Sequence, residues 1–280
     1  MQIDIDSELS RYRDVLDFIE IKKYIRVNWL KTRARPSYKP TFLPYIYELP
    51  SNIKIGNSIE YLAGYVHSQS LASAIPPHVL SPSPKDIVYD ATAAPGSKTT
   101  QMAMLMENRG VIIANDKRDR IPSLRANIER LGVVNVAVIS RDAKKIPDFS
   151  YNRALVDAPC SALGAHRYAW KRVTNSIIRT LSSVQYRILE ATYRALRPGG
   201  ILVYSTCTFT RYENEDVVSA LLENYSAKLM SIELPIQSEP GISDQYEDIK
   251  LTVRLHPKDV GEYFYIAKIF KPFSESTPYP

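Results

Sequence analysis

The chain has 280 residues, 45% of them hydrophobic and 24% charged, and carries a net charge of +6. That length suits one large domain or a domain with an appendage, and the basic balance favours a polyanionic partner, with nucleic acid the commonest. Only two cysteines occur, the start Met1-Gln2-Ile3-Asp4-Ile5-Asp6 lacks a signal-peptide core, and no apolar run could span a bilayer. A disulfide scaffold and a membrane protein are therefore excluded, although one Cys160–Cys207 bridge stays open, and a cytoplasmic setting is expected.

Leu9, Tyr12, Leu16 and Ile19 fall at helical spacing, so a helix is expected from Leu9 to Lys23. A β-rich run from Tyr24 to Leu30 reads as a strand. Pro36, Pro40, Pro44 and Pro50 then break up the segment that follows. Positions 11 to 40 hold nine Lys/Arg against three Asp/Glu. This first part, residues 1–84 with its linker, reads as a small basic α+β module.

From residue 85 the rhythm becomes strand, helix, strand. Strands are expected at Ile87–Asp90, Val111–Asn115, Asn135–Ile139, Ala154–Asp157 and Ile201–Ser205. Helices are expected over Ser97–Glu107, over the face formed by Ile121, Leu124, Ile128 and Leu131, over Leu181–Leu196 and over Glu215–Tyr225. Gly132 and Pro198-Gly199-Gly200 are terminators. Two late strands, near Lys250–Leu255 and Tyr263–Ile269, complete a domain over 85–273, and 274–280 form a tail. The alternation implies an α/β fold with a mostly parallel sheet covered on both faces. Ligands of such sheets sit beyond the carboxyl ends of the strands, where Asp90, Asp116, Asp157 and Cys207 all fall.

The loop Asp90-Ala91-Thr92-Ala93-Ala94-Pro95-Gly96-Ser97-Lys98-Thr99 lies between the first of these strands and its helix. Its small residues let the backbone approach a bound molecule, Pro95 stiffens the turn, and the helix start offers free N–H groups. A phosphate-binding P-loop is rejected: Ser97 precedes Lys98, and Thr92 stands where the motif's first Gly belongs. A G-x-G-x-x-G dinucleotide motif is also missing. Asp116, ending the second strand, could accept both hydroxyls of a ribose, and Asp142, after the third, could meet an adenine amine. A helix cap or a loop acid is the alternative for each; the place of Asp116 one βαβ unit beyond the loop favours the cofactor role, and for Asp142 the two readings are even.

The two thiols lie in Asp157-Ala158-Pro159-Cys160-Ser161 and Ser205-Thr206-Cys207-Thr208. Cytosine is not nucleophilic at carbon 5. A thiolate added at carbon 6 makes carbon 5 enamine-like, able to attack an electrophilic methyl group. An acid must stabilise the charge that develops on the ring, and Asp157 is the candidate. A lone cysteine is more often core than catalytic. Here both occupy polar, turn-prone strand ends, which favours chemistry.

Ala93-Ala94-Pro95-Gly96-Ser97-Lys98-Thr99, Asp157-Ala158-Pro159-Cys160-Ser161, Tyr204-Ser205-Thr206-Cys207-Thr208 and Glu213-Asn214-Glu215 follow one another as in a known family. The chain resembles the RNA 5-methylcytosine methyltransferases of the Nol1/Nop2/Sun group, and in its compactness the stand-alone archaeal tRNA enzymes. The resemblance spans Arg26-Val27-Asn28-Trp29-Leu30-Lys31 to the final strand. It implies a Rossmann-like class I methyltransferase sheet with an antiparallel last strand, S-adenosylmethionine as methyl donor, and an RNA-contacting module at the N-terminus. It makes Cys207 the nucleophile and gives Cys160 a role in releasing the covalent RNA adduct. Thr92, Ala93, Ala94, Pro95, Gly96, Ser97, Lys98, Asp116, Asp142 and Asp157 would line the cofactor pocket, with Lys98 and Asp157 also reaching the target base. Two positions depart from the family pattern: Ser97 replaces a frequent Gly, and Ala162-Leu163-Gly164 replaces Gly-Thr-Gly.

The expected substrate is RNA, tRNA before ribosomal RNA, bound by a monomer without metal. Lys22, Lys23, Arg26, Lys31, Arg33, Arg35, Arg167, Lys171 and Arg172 are candidates for its backbone, and Trp29, Tyr38, Tyr45 and Trp170 for stacking on its bases. A non-catalytic RNA-binding factor on the same fold is the rival from another class.

Overall fold

The computed structural model describes residues 4–12, 22–165, 167–242 and 245–273. Nine strands form one sheet in the order β11-β12-β13-β9-β8-β5-β6-β7, with β10 beside β13. Its parallel part is β5 (Ile87–Asp90), β6 (Val111–Asn115), β7 (Val136–Ile139), β8 (Tyr151–Asp157) and β9 (Leu196–Thr206). The last strand, β13 (Phe264–Phe270), runs antiparallel to β9, with Tyr265 opposite Thr206. β12 (Val253–Leu255), β11 (Glu239–Pro240) and β10 (Lys228–Met230) complete that edge. The expected mostly parallel sheet with an antiparallel last strand is what the chain forms.

Val88, Ala154, Leu155, Val156, Leu202, Val203 and Tyr204 are all fully buried, because helices cover both faces of these central strands. One face packs on α3 (Leu71–Leu80) and α4 (Ser97–Leu105) through Ile75, Met102 and Met104. The other packs on α6 (Asn175–Ala195) and α7 (Glu215–Asn224) through Ile188, Leu189, Val218 and Leu221. α5 (Ile121–Arg130) lies beside α4 and β7, with Leu124 buried against Ala93 and Ala94.

The chain winds from β5 out to β6 and β7, then returns to β8 and β9 on the other side. The strand order therefore reverses between β5 and β8. A crevice opens there at the carboxyl ends of the strands, the place where open α/β sheets bind ligands.

A second, four-stranded antiparallel sheet has the order β2-β3-β1-β4: β2 (Lys39–Pro40), β3 (Ile46–Leu49), β1 (Lys23–Val27) and β4 (Val66–Ser68). Tyr24, Tyr45 and Ile46 of this region share one core with α3, α4 and the large sheet. Two short helices complete the architecture, α1 (Ile5–Arg11) and α2 (Ile59–Leu62), with α8 (Pro257–Val260) just before the last strand.

Several boundaries differ from the sequence pattern. Most of the helix expected over Leu9–Lys23 falls on 13–21, outside the described residues; α1 ends at Arg11, and Lys23 already opens β1. β1 stops at Val27 rather than Leu30. Asn28 turns the chain there, its side chain accepting from Leu30 N at 3.2 Å and donating to the Gly64 and Leu131 carbonyls. α6 begins at Asn175, six residues before the expected start, because Thr174 accepts from Ile177 N as an N-cap. α6 ends at Ala195, and Pro198-Gly199-Gly200, expected as its terminator, lies inside β9, which begins at Leu196. Glu247–Leu251 form a 3-10 turn, which leaves only Val253–Leu255 as strand. The tail 274–280 lies outside the described residues.

Candidate active site

Each expected group stands at the end of a parallel strand. Asp90 is the last residue of β5, Asp116 follows β6, Asp157 is the last residue of β8 and Cys207 follows β9. A cavity of about 740 Å³ opens among them, lined by Ala91, Thr92, Ala94, Asp116, Asp142, Asp157, Cys160 and Cys207, with Val184 and Ile188 of α6 among its apolar residues. Ala93, Pro95, Gly96, Ser97 and Lys98 are not in that lining.

The two thiols, 47 residues apart in sequence, meet with their sulfurs 3.3 Å from each other. Both are free and half-buried, so no disulfide joins them. The hydrogen bond with Cys160, together with burial, pushes the Cys207 thiol well above its usual range, and the Glu262 and Asp157 carboxylates act in the same direction. In this state Cys207 holds its proton at neutral pH.

Beside them Lys98 Nζ lies 2.6 Å from Asp157 Oδ2, and Ser205 Oγ donates to Asp157 Oδ1 at 2.9 Å. Lys98 Nζ also donates to Ser73 Oγ at 2.9 Å. Burial acts to lower the Lys98 pKa, but Asp157 and the other nearby acidic groups outweigh it, so the ammonium is held charged. The pair thus presents a fixed cation and a fixed carboxylate side by side.

The loop above β5 is tied at several points. Ala94 N donates to Asp116 Oδ2 at 2.8 Å, Arg120 Nη2 donates to the Ala94 carbonyl at 2.6 Å, and Thr92 Oγ1 donates to the Asp157 carbonyl at 2.8 Å. Gly96, with φ of +104°, makes the left-handed step into α4, and a Cβ there would lie 2.9 Å from Leu124 Cδ1. Thr99 Oγ1 donates to Asp90 Oδ2 at 2.7 Å, while Asp90 Oδ1, buried, has no hydrogen-bond partner among the described residues. Burial pushes Asp90 up to about 7.

These features fit a nucleoside ligand. The volume lies in the range of cofactor pockets. Apolar residues of α6 lie on one side, and the rest is polar, with Asp116, Asp142 and Asp157 set among Lys117, Arg118, Arg120, Arg141 and Lys144. Asp116 is nearly buried at the strand end and Asp142 is exposed at the rim, the first suited to fixed hydroxyls and the second to a solvent-facing donor.

The Glu213-Asn214-Glu215 block quoted from the sequence carried no assigned role; in the structure it holds this constellation together. Glu213 is fully buried and accepts from Ser161 N at 2.8 Å, Thr210 Oγ1 at 2.9 Å and Gln185 Nε2 at 3.0 Å, fixing the turn after Cys160. Asn214 accepts from Thr206 Oγ1 and donates to the Thr208 carbonyl, so it brackets Cys207 from both sides. Glu215 receives a bidentate ion pair from buried Arg254, both contacts at 2.6 Å. The signal in sequence was the Glu213-Asn214-Glu215 block itself, which leads into α7 and is fully buried.

The RNA candidates divide. Arg26 and Tyr45 are buried, and Lys31 Nζ is spent on the Ala63 and Arg130 carbonyls, so these three hold the fold together. Lys23 Nζ likewise donates to the Ser51 carbonyl. Arg33, Arg35, Lys171 and Arg172 are exposed, with Arg33 lying over the Trp29 ring at 5.4 Å. Trp170 is half-buried, its Nε1 donating to the Leu163 carbonyl at 2.9 Å; the Arg167 side chain lies outside the described residues.

Residues 77–270 match the family described as 16S rRNA methyltransferase RsmB/F, which takes in the crevice, both thiols and the last strand. The chain belongs to this family. It is accordingly an S-adenosylmethionine-dependent RNA methyltransferase. It is 46% identical over 233 residues to a tRNA (cytosine(49)-C(5))-methyltransferase from Pyrococcus abyssi, covering 79% of this chain and 75% of the relative. It is 40% identical over 212 residues to a tRNA (cytosine(72)-C(5))-methyltransferase from Pyrococcus horikoshii; there the match covers 74% of this chain and 53% of the longer relative. A crystal structure of a methyltransferase homologue from Pyrococcus horikoshii superimposes with a TM-score of 0.81 at 32% identity, covering 93% of this chain and 90% of that one.

Proposed function

We propose that this protein methylates carbon 5 of cytosine in tRNA through a covalent adduct on Cys207. The observation that carries this reading is the pair of sulfurs 3.3 Å apart beside the Lys98–Asp157 ion pair, at the strand ends where a nucleoside cofactor fits. The identity to two tRNA methyltransferases favours tRNA; the family's description, 16S rRNA methyltransferase, keeps ribosomal RNA as the second reading. Residues 1–84 would serve as the RNA-contacting module and 85–273 as the methyltransferase domain, working as a monomer in the cytoplasm. Among the described residues no helix is long and apolar enough to cross a membrane.

S-adenosylmethionine supplies an electrophilic methyl group when bound. Thr92, Ala94, Asp116 and Asp142, which line the crevice, would hold it, with Ala93, Pro95, Gly96 and Ser97 shaping the loop behind them and the acids meeting its hydroxyl and amine donors. Asp157 and Lys98 would face the ring of a flipped cytosine, extruded at a cost of about a few kcal/mol. Cys207 Sγ adds to carbon 6, and its proton leaves by way of Cys160 or solvent. Negative charge then builds on the ring nitrogen beside the carbonyl. Asp157, kept in place by Ser205, relays a proton to that nitrogen from the Lys98 ammonium. After carbon 5 has taken the methyl group, a base removes its remaining proton, the carbon 6–sulfur bond breaks, and the ring nitrogen gives its proton back through Asp157 to Lys98. Cys160, in contact with the departing sulfur, returns a proton to Cys207.

Methyl transfer to unmodified tRNA and to ribosomal RNA tests this assignment. Cys207→Ala should abolish transfer, and Cys160→Ala should accumulate protein covalently bound to RNA. The reverse pattern would exchange the two roles, and transfer to ribosomal RNA alone would select the second substrate.

A further inference from the structure

Two side chains of the N-terminal sheet, absent from the scheme above, reach into the cofactor loop. Arg26 on β1 is fully buried. Its Nη1 donates to the Ser97 carbonyl at 2.6 Å and to Gln69 Oε1 at 2.7 Å, and its Nη2 donates to Thr100 Oγ1 at 2.8 Å. Thr100 Oγ1 in turn donates to the Gly96 carbonyl at 2.7 Å. His67 on β4 lies 2.8 Å from Ser97 Oγ through Nε2 and 2.7 Å from Arg130 Nη2 through Nδ1. Because arginine can only donate, Nδ1 is the acceptor, and the ring proton sits on Nε2, aimed at Ser97. Ser97 is thus gripped at its carbonyl by one strand and at its hydroxyl by the next.

The seam continues at the end of α5. Asn28 Nδ2 donates to the Leu131 carbonyl at 2.8 Å, and Lys31 Nζ to the Arg130 carbonyl at 2.8 Å. At Gly64, with φ of +75°, a Cβ would sit 1.9 Å from the Arg130 carbonyl oxygen, so only glycine lets the two backbones come this close. The start of α4 and the end of α5 are therefore both clasped by the N-terminal sheet.

Among the described residues Arg26 has no ion-pair partner, and its Nε has no hydrogen-bond partner. A buried cation without an anion is a poor choice for stability, since apolar residues of similar volume serve as well or better. What the guanidinium offers is directed donors, and two of its three bonds end on the first turn of α4. Ser97 lies between Gly96, which makes the turn, and Lys98, whose ammonium pairs with Asp157.

We propose that Arg26 and His67 are positioning residues for the cofactor loop and for Lys98, so that the N-terminal sheet forms part of the cofactor site as well as the RNA-contacting module. This rests on the functional reading above. It makes the module a determinant of S-adenosylmethionine affinity before any RNA is bound.

The experiment is calorimetric titration of S-adenosylhomocysteine into the full chain and its variants, well below their melting temperatures, alongside tRNA binding by gel shift. Arg26→Met should weaken S-adenosylhomocysteine about tenfold, the loss expected for one well-placed charge-assisted hydrogen bond. Arg26→Lys should recover part of that loss, and His67→Gln should cost about threefold. Affinity for tRNA should change by less than about twofold in all three, because both side chains are buried. A folded Arg26→Met that binds S-adenosylhomocysteine like the wild type overturns the proposal, as does a loss confined to tRNA affinity. Should Arg26→Met fail to fold, Thr100→Val removes one acceptor of the same network; about threefold weaker binding supports the proposal and unchanged binding overturns it. A wild type that takes up no S-adenosylhomocysteine overturns the functional reading, and this inference with it.

Discussion

Two buried arginines hold the two sides of the crevice, and their surroundings are opposite. Arg254 meets Glu215 in a bidentate ion pair and also donates to Tyr12 Oη and the Phe209 carbonyl. Burial alone would lower its pKa, yet the carboxylate carries the net shift upward. Arg26 has only neutral acceptors, and burial pushes it down to about 9. Arg254 secures the corner behind Cys207, and Arg26 secures the start of α4 behind Lys98. The first side is held by matched charge and the second by directed hydrogen bonds. Breaking the first leaves a stranded ion, whereas breaking the second loosens a geometry.

The largest effect should come from Arg254→Met, which leaves Glu215 buried and unpaired. A cost of about 3–5 kcal/mol is expected, seen as a fall of roughly 10 °C in melting temperature. Arg26→Met strands no anion and should cost less than about half as much, while still weakening the cofactor. Equal stability losses for the two variants would erase the contrast drawn here.

Acid should sharpen it. His67 faces Arg26 from β1, Arg130 from α5 and the stacked Tyr61 from α2, and burial with these cations lowers it from 6.5 to about 2. A group depressed on folding supports the native state above its unfolded pKa and withdraws that support as pH falls. Below pH 6.5 the seam should therefore lose stability, at up to about 1.4 kcal/mol per pH unit from this one ring. Denaturant titrations of the wild type and His67→Gln between neutral and mildly acidic pH measure this. The variant should show the shallower decline, and parallel curves would discard the idea.

The smallest effect concerns the thiols. Since the Cys160 hydrogen bond is the largest cause of the raised Cys207 pKa, Cys160→Ala should speed alkylation of Cys207 at mildly alkaline pH by about threefold. Mass spectrometry of iodoacetamide-treated protein reads the rate. No change would mean that burial alone keeps the thiol protonated.

Much of the crevice was legible beforehand because strand periodicity marks where a strand ends, and Asp90, Asp116, Asp157 and Cys207 sit at those ends. Lys98 was placed by its loop. Arg26 was misread as an RNA contact: a cation in a basic stretch looks exposed, and nothing local says that the strand bearing it is covered on both sides. Ser73 escaped notice, and Ser205 and Glu213 stood in the quoted motifs without a role, because their partners lie 25, 48 and 52 residues away. Three strands of the small sheet and α3 also went unseen. β2, β3 and β4 are only two to four residues long, too short for a period to register, and Pro76 and Pro77 disguise α3 as a loop.

From its residues alone, the chain determined the alternation of strands and helices, the small-residue loop after β5 and the strand-end placement of both thiols, because each depends on local periodicity and turn chemistry. Only the tertiary structure decided that the sulfurs touch, that Lys98 pairs with Asp157, and that a strand from the basic module lies under the cofactor helix. Those contacts join positions tens of residues apart, and burial, which sets the charge state of Arg26, His67 and Cys207, is a property of the packed whole.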